Sequence, residues 1–155
     1  MQFKIYKASM DDAPGIAGVL RELGWFDPIN TETETETTER VRRHLRLCLK
    51  DDSHSVFVAK SPDGTTFGYA SAHWNPYLFL PGLEGYISEL FVQPEHRGQG
   101  IGTQLLKTIE QEARQRNCYR LMLINNRTRK SYLLGFYGKN GWEERPQMAN
   151  FILKL

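Results

Sequence analysis

The segment that most constrains the fold is RGQGIG at positions 97–102, which stands between a strand-like run and a long amphipathic pattern. GYISELFV precedes it and is stopped by Pro94, and TQLLKTIEQEARQR follows it. A strand, a glycine-rich turn and a helix in this order present backbone N–H groups and the positive end of a helix dipole to an anion. The glycines let the main chain approach a phosphate closely, and Arg97 adds a charge-assisted donor. We therefore predict a phosphate-binding loop.

Two common phosphate-binding motifs do not match this loop. A Walker A loop requires Lys-Ser/Thr after its last glycine, whereas Thr103 and Gln104 follow Gly102. The dinucleotide fingerprint spaces its glycines as GxGxxG, but the spacing here is GxGxG, with no suitable acidic residue about 20 positions later. A nucleotide-binding protein of another type is therefore disfavoured. A tight turn without a ligand is the remaining structural alternative for this loop.

Composition narrows the class of protein. The chain has 155 residues, a net charge of +2, and two cysteines, Cys48 and Cys118, without metal or redox spacing. The charge is too small to indicate nucleic acid or a membrane surface as the main partner. The two cysteines favour a reducing, cytoplasmic location. No run approaches the roughly 20 apolar residues of a membrane span, so we expect a soluble protein without a membrane segment.

Hydrophobic periodicity predicts an α/β protein. Apolar residues from Ile16 to Leu23, spaced i, i+3, i+4 and i+7, indicate a helix with Pro14 in its first turn and Gly24 at its end. A second helix begins at about Thr38. SVFVAK and TFGYASAHW predict a hairpin, and RLMLI a buried strand. FKIY is a further predicted strand, SYLLGFYGK a helix, and WEERP and NFILKL the final strands. No repeat or linker interrupts residues 1–155, so we expect one domain.

The loop and its flanks carry a family resemblance. ISELFVQPEHRGQGIGTQLLKTIEQEA resembles the acetyl-CoA-binding segment of the GNAT N-acetyltransferase superfamily, whose motif Gln/Arg-x-x-Gly-x-Gly/Ala is met by Arg97, Gly100 and Gly102. GFYGKNGW resembles the family's Phe-Tyr-x-x-x-Gly-Phe segment, with Trp142 in place of the last phenylalanine. The resemblance covers essentially the whole chain, and only residues 86–142 are specific.

The resemblance implies the fold and the cofactor site. We expect a mixed, mostly antiparallel twisted sheet of 6–7 strands flanked by about four helices, with a splayed V-shaped gap between two central parallel strands. Acetyl-CoA, the expected cosubstrate, would lie in that gap without any metal. The implied cofactor-binding residues are Leu90, Phe91, Val92, Arg97, Gly98, Gln99, Gly100, Ile101, Gly102, Thr103, Asn126 and Tyr137. Asn125 is an alternative to Asn126, because either could end the strand beside the gap and bond the pantetheine arm. Lys130 stands where the family often has an asparagine, which is a departure from the family's pattern. Arg127, Arg129 and Lys130 are expected either to meet the 3′-phosphate or to form a solvated basic turn.

Acetyl transfer to an amine requires proton transfers. An alkylamine has a pKa of about 10.4, so its deprotonation at pH 7 costs about 4.6 kcal/mol. By resemblance, the N–H of Val92 would stabilise the oxyanion and Tyr137 would protonate the departing thiolate. Relatives often carry the base at the position of Ser88. We take Glu89 as the candidate base, although strand alternation would send it to the face opposite Ser88. An ordered water held by Tyr86, Ser88 or His73 is the alternative.

The acceptor is expected to be a primary amine of a small molecule or a protein. By resemblance, it would be acetylated by direct transfer through a ternary complex. Trp25, Phe26, Trp74, Tyr77 and Tyr86 are the candidate acceptor-binding residues. The run TETETETTE is interpreted as an acidic lead-in to a helix, with the pairs Glu36–Arg40 and Glu39–Arg43, or as a flexible loop that attracts a cationic acceptor. A homodimer is an expected state because dimers are common in the family. The competing functional interpretation is a catalytically silent acyl-CoA-binding regulatory module.

Overall fold

A computed structural model describes residues 2–155 and has the predicted α/β class. The strands are β1 Lys4–Lys7, β2 His54–Lys60, β3 Thr66–Asn75, β4 Glu84–Val92 and β5 Arg120–Leu123. The helices are α1 Ala13–Leu23, α2 Asp27–Asn30, α3 Glu34–Cys48, α4 Ile101–Gln115, α5 Lys130–Leu133 and α6 Phe136–Lys139. The chain divides into two compact units, the first ending at Met122 and the second spanning Leu123–Leu155.

The sheet is mixed and has the strand order β1-β2-β3-β4-β5. β1, β2, β3 and β4 are successive antiparallel neighbours, and the predicted β2–β3 hairpin is confirmed. β5 follows β4 through α4 and is the last strand of the sheet. The predicted strands WEERP and NFILKL are not formed among the described residues, so the sheet has five strands instead of 6–7. Pro146 lacks the N–H that a central strand needs.

Each face of the sheet is covered by helices. On one face, Ile16, Val19 and Leu20 of α1 and Val41 and Leu45 of α3 pack in a cluster with Val56, Val58 and Tyr69. On the other, the buried residues of α4 include Ile101, Leu105, Leu106 and Ile109. Ser55 of β2 points to this second face, since its hydroxyl donates to Glu112 of α4. We refer to these as the α1–α3 face and the α4 face.

Helix α3 begins earlier than predicted. Thr33 is its N-cap, and Thr33 and Glu36 form a capping box in which each side chain accepts from the other's backbone N–H. The helix therefore starts at Glu34 and includes most of the Thr/Glu-rich run, which is not a flexible loop. The expected pairs Glu36–Arg40 and Glu39–Arg43 are wrong, because Arg40 pairs with Glu32 and Arg42 with Glu39.

The segment predicted as one helix at SYLLGFYGK is two short helices, α5 and α6. Gly135 separates them at φ 64°, the left-handed conformation that ends a helix. The six helices thus comprise three long ones and three of four residues each, compared with the expected four. None of the helices formed by residues 2–155 combines the length and the apolar character needed to cross a membrane.

Candidate functional site

The loop between β4 and α4 has a backbone that requires glycine at two positions. Gly98 has φ 75° and Gly100 has φ 85°, in the left-handed region that other residues rarely adopt. A Cβ atom placed on either glycine would meet no atom within 4 Å. The chain therefore needs these glycines for conformation, and the space outside them is open.

The N-terminus of α4 faces that space without a side-chain cap. Gly100 is the N-cap residue and has no side chain that could accept a bond from the first turn. A helix of 15 residues begins here, so uncapped N–H groups and the positive end of its dipole meet at one point. Gly102 and Thr103 are partly exposed in this first turn, whereas Ile101 is buried and Gln99 donates to the carbonyl of Glu95. These features fit an anion.

Arg97 turns back toward β4. Its Nε donates to the carbonyl of Val92 at 3.0 Å, and its guanidinium carbon lies 5.3 Å from the ring centroid of Trp25. The side chain is thereby fixed between the glycine loop and the end of α1. The sequence predicts that Arg97 brings a positive charge to this loop, but no local pattern indicates its contact with Trp25.

The main chain of β4 presents N–H groups on the side away from β3. Gln93 N donates to the carbonyl of Phe67 at 2.9 Å, which fixes the hydrogen-bonding phase of the β3–β4 ladder. Hydrogen-bond direction alternates along an antiparallel strand. The N–H groups of Leu90 and Val92 therefore point away from β3, as a ligand lying along this strand would require.

A β-bulge changes which side chains of β4 share a face. Ala72 of β3 pairs with Ile87 and Ser71 pairs with Glu89, so Ser88 is the extra residue on β4. Tyr86 is opposite His73 and Glu89 is opposite Ser71, and both partners lie on the α1–α3 face. The sequence-based expectation that Ser88 and Glu89 point to opposite faces is wrong, because the bulge shifts the alternation by one residue.

Glu89 is partly buried and has one hydroxyl partner. Tyr69 donates its phenol O–H to Glu89 Oε1 at 3.2 Å. Burial raises the pKa of Glu89, and the hydrogen bond from Tyr69 opposes part of that rise. Burial, and then the nearby Glu89 charge, also raises the pKa of Tyr69 well above its usual value. A carboxyl group in this state is a stronger base than an exposed one. Tyr69 was not anticipated from the sequence, although polar residues at 69, 71 and 73 alternate with apolar ones in β3.

The residues expected to hold an ordered water lie together beside Glu89 on this face. His73 Nε2 is 3.0 Å from Ser88 Oγ, and the His73 ring centroid is 6.0 Å from that of Tyr86. The ring centroid of His54, on β2, lies 4.2 Å from that of His73. The structure thus brings Tyr86, Ser88 and His73 into one group.

Aromatic rings border the same face near the end of β4. The Phe91 ring lies 5.9 Å from that of Trp25, 5.7 Å from Phe26 and 5.8 Å from Tyr69. Trp25 and Phe26, both expected at the acceptor site, therefore lie together. Phe91, expected to contact the cofactor through its backbone, directs its ring to this group.

Trp74 and Tyr77 lie elsewhere. Trp74 is 5% exposed, donates its Nε1–H to Ser55 and lies under the guanidinium of Arg116, which places it on the α4 face. Tyr77 is in the β3–β4 loop with its ring 5.6 Å from Phe79. Neither residue joins the group formed by Trp25 and Phe26.

The second unit contains Tyr137 and the two asparagines that follow β5. Burial raises the pKa of Tyr137 to about 12, and its ring contacts Phe136 and Trp142. Asn126 accepts from the backbone N–H and the hydroxyl of Thr128, forming a local turn. Asn125 accepts from Ser131, and its buried Nδ2 has no hydrogen-bond partner among the described residues.

The second unit also contains the basic residue Arg127. Arg127 pairs with Glu144, which also accepts from Tyr132. Across residues 2–155, no three His, Cys, Asp or Glu side chains are grouped as a metal site would require.

Comparisons with known proteins agree with this architecture. Residues 19–142 match the acetyltransferase (GNAT) family. The chain is 24% identical over 155 residues to a thialysine N-epsilon-acetyltransferase of Mus musculus, covering 96% of this chain and 90% of that protein. It is 29% identical over 137 residues to glucosamine 6-phosphate N-acetyltransferase 1 of Oryza sativa subsp. japonica, covering 87% of this chain and 77% of that protein.

The fold also matches a solved structure over its whole length. A transcriptional regulator from Bacillus halodurans C-125 superimposes with a TM-score of 0.83 at 20% identity, covering 99% of this chain and 100% of that one. At this identity the likeness concerns the fold alone. Because the family match extends over most of the sequence, the chain belongs to the acetyltransferase (GNAT) family.

Proposed function

We propose that residues 1–155 form one N-acetyltransferase domain that moves the acetyl group of acetyl-CoA directly to a primary amine in a ternary complex. The observation that carries the proposal is the geometry of β4. Its Leu90 and Val92 N–H groups point away from β3, while the bulge directs Ser88 and Glu89 to the α1–α3 face. One strand would thus offer main-chain N–H groups to the cosubstrate and side chains to the acceptor.

The proposed cosubstrate site extends from β4 into α4. The pyrophosphate would bind the uncapped N–H groups between Gly98 and Thr103, a fit supported by the open space outside Gly98 and Gly100. Val92 N–H would donate to the acetyl oxygen. Of the two asparagines after β5, Asn125 is the better candidate for a pantetheine contact, because its Nδ2 is buried and needs an acceptor. When bound, acetyl-CoA supplies the acetyl group as a reactive thioester.

The proposed acid and base are Tyr137 and Glu89. Glu89 is the carboxyl group of the bulged segment, and its raised pKa makes it a suitable acceptor for the proton of an ammonium ion. Tyr137 has a pKa of about 12, so its hydroxyl stays protonated at neutral pH and can donate to a departing thiolate. Glu89 would accept the proton that the ammonium ion loses, and Tyr137 would supply the proton that the departing thiolate needs.

The proposed acceptor is an amine of a small molecule or a protein with an apolar part next to the amino group. Trp25, Phe26 and Phe91 support this, since they offer aromatic surface close to Glu89 on the same face. The related proteins named above act on thialysine and glucosamine 6-phosphate, which are small amines. The free thiols Cys48 and Cys118 fit a cytoplasmic enzyme.

A thiol-release assay with acetyl-CoA and a panel of amino acids, amino sugars, polyamines and peptides tests the proposal. We expect at least one amine to release CoA thiol above the rate of acetyl-CoA hydrolysis, and mass spectrometry to find that amine acetylated. The Glu89→Gln variant is the matched control and should lose the amine-dependent rate. If acetyl-CoA binds and no amine of the panel is acetylated, the chain is the catalytically silent acyl-CoA-binding module.

A further inference from the structure

The glycine loop and the aromatic group near the end of β4 meet at one contact, between Arg97 and Trp25. The guanidinium carbon of Arg97 lies 5.3 Å from the centroid of the Trp25 ring, within the roughly 6 Å reach of a cation–π interaction. Arg97 is exposed, whereas Trp25 is partly buried. A residue expected to serve the cosubstrate thus rests directly on a residue expected to serve the acceptor.

A short turn brings Arg97 back to the edge of β4. Pro94–His96 form a single 3-10 turn after the strand, and the N–H of His96 donates to the carbonyl of Gln93 at 3.0 Å. Arg97 Nε then donates to the carbonyl of Val92 at 3.0 Å. In an antiparallel strand, the N–H and the C=O of one residue point to the same side. The cation is therefore held at the edge that faces away from β3, on the same side as the Val92 N–H.

The Trp25 ring is fixed by contacts outside the glycine loop. Gly24 ends α1 in the left-handed conformation, with φ 64°, and Trp25 follows it directly. The Trp25 ring centroid lies 6.5 Å from that of Phe26 and 5.9 Å from that of Phe91, and both contacts are edge-to-face. An exposed arginine side chain has many rotamers, so a ring held in this way restricts where its charge can lie.

The place of this charge matters for the cosubstrate. Arg97 lies between Val92, whose N–H is proposed to bind the acetyl oxygen, and Gly98, where the proposed pyrophosphate site begins. A guanidinium has five N–H donors, so it can bond a phosphate while its Nε remains on Val92. A side chain that is ordered before the anion arrives loses less entropy on binding, which strengthens the binding.

We propose that Trp25 is a positioning residue for acetyl-CoA, because its ring holds the guanidinium of Arg97 in place for the pyrophosphate. The inference rests on the proposed function and gives a second role to a residue expected only at the acceptor site. In this role Trp25 acts through Arg97 and not by contact with the cosubstrate. A change on the acceptor side should therefore weaken the binding of acetyl-CoA.

The binding of two thioesters to one variant tests this role. Trp25→Leu removes the aromatic ring and keeps an apolar side chain, and calorimetry without acceptor measures Kd for acetyl-CoA. We expect this Kd to rise by about three- to tenfold, the size of one cation–π contact. S-acetylpantetheine has the same thioester arm without the pyrophosphate, so its Kd, measured by NMR titration, should change less than about twofold. Equal losses for the two ligands would overturn the role, because a general disturbance of the site would affect both.

A control and a double-mutant cycle separate the other outcomes. Phe26→Leu removes another ring of the same group, 5.7 Å from Phe91, and should change Kd for acetyl-CoA less than about twofold. Arg97→Met removes the charge, and in that background Trp25→Leu should add less than about twofold. An equal loss in Phe26→Leu, full additivity in the cycle, or tighter binding of acetyl-CoA to Trp25→Leu would each overturn the role.

The same measurements distinguish this role from the proposed function. A parent that does not bind acetyl-CoA would overturn the proposed cosubstrate site and the role of Trp25 with it. A parent that binds acetyl-CoA but acetylates no amine would overturn the proposed enzymatic activity alone. The effect of Trp25→Leu on Kd would still decide the role of Trp25, because binding is measured without acceptor.

Discussion

At the scale of single residues, the proposed chemistry of the α1–α3 face depends on one partly buried carboxyl group. Glu89 is partly buried on the α1–α3 face, and the hydroxyl of Tyr69 is its hydrogen-bond donor. The charged form of such a group is costly, because burial removes hydration that a single hydrogen bond replaces only in part. The same burial that makes Glu89 a better base therefore costs the fold stability once the group ionises.

Glu89→Gln should exchange activity for stability. The raised pKa of folded Glu89 means that its contribution to the free energy of unfolding is greatest below the unfolded pKa, about 4.3, and declines as the pH rises through the folded pKa. The variant should lack this decline. We expect its Tm relative to the parent to be higher at pH 8 than at pH 4, while kcat/KM falls by about 10²–10⁴. Equal Tm differences at the two pH values would contradict the assignment.

Tyr69→Phe should shift the pH dependence of kcat/KM while leaving the proposed base, Glu89, in place. The hydroxyl lowers the pKa of Glu89, so its loss raises that pKa further. The acid limb of kcat/KM should therefore shift to higher pH, with the ring packing against Phe91 retained. Tyr6→Phe, at an exposed site on β1, is the control and should leave the limb unchanged. If the acid limb of kcat/KM in Tyr69→Phe stayed at the parental pH, ionisation of Glu89 would not be what sets that limb.

Tyr137→Phe tests the proposed acid. The substitution keeps the ring contacts with Phe136 and Trp142 and removes only the hydroxyl. Kd for acetyl-CoA should barely change, and the rate of the chemical step should fall by about 10²–10⁴. The loss should be smaller for thioesters whose leaving thiol has a lower pKa. Single-turnover kinetics measure this step, and a parental rate there would assign Tyr137 to packing.

At the scale of elements, function depends on how the strands and helices begin and end. β4 is interrupted by a bulge and α4 starts at a glycine in the left-handed conformation. α3 differs from α4 at its start, because the side chains of Thr33 and Glu36 cap its first turn. The cap of α3 satisfies N–H groups of its first turn, whereas the N-cap residue of α4 has no side chain to accept from them.

Gly100→Asp should abolish acetyl-CoA binding while the fold survives. The residue has φ 85°, so a side chain is strained, and a carboxylate would place negative charge where the pyrophosphate is proposed to bind. Gly64→Asp is the matched control, because Gly64 has φ 93° in the β2–β3 turn and equally open surroundings. Calorimetry should give a Kd raised by about 100-fold or more for Gly100→Asp and unchanged for Gly64→Asp. A Kd within about threefold of the parent at position 100 would refute the phosphate loop.

At the scale of the whole molecule, the α4 face is held by a network around Arg116. Its guanidinium pairs with Asp52 and Glu112 and lies 5.0 Å from the Trp74 ring centroid. Trp74 donates to Ser55, whose hydroxyl donates to Glu112. The network joins α4 to β2 and β3 and explains why Trp74 serves the core.

Arg116→Leu should destabilise the protein much more than Arg42→Leu. The first change leaves Glu112, which is 19% exposed, without its cation. Removing one partner of such a partly buried pair costs about 2 kcal/mol, which is less than the roughly 3–5 kcal/mol for a fully buried pair. Arg42 pairs with exposed Glu39, a contact worth about 0.5 kcal/mol or less. In calorimetric scans, Tm should fall by about 4–8 °C for Arg116→Leu and by about 2 °C or less for Arg42→Leu. Equal losses would show that the network contributes no more than an exposed pair.

Local patterns in the sequence were enough to predict the class of fold, the β2–β3 hairpin and the glycine loop before α4. Apolar periodicity predicts a helix or strand because each element must bury one face, and glycine spacing marks a turn whatever surrounds it. The start of α3 was missed by four residues, although Thr33 and Glu36 carried the capping signal. Gly135 ended a helix that its apolar pattern predicted as continuous.

The tertiary structure alone decided which side chains share a face. The bulge at Ser88 depends on how β3 and β4 pair, and no local pattern in ISELFV indicates that Ser88 and Glu89 lie on the same side. Trp74 and Trp25 are both tryptophans beside predicted elements, yet Trp74 is buried against α4 and Trp25 contacts Phe91 on the α1–α3 face. The sequence by itself determined that the chain has a glycine loop at a helix start. Long-range packing determined which hydroxyl, imidazole and carboxyl group lie together, because strand register is fixed by contacts between residues distant in the chain.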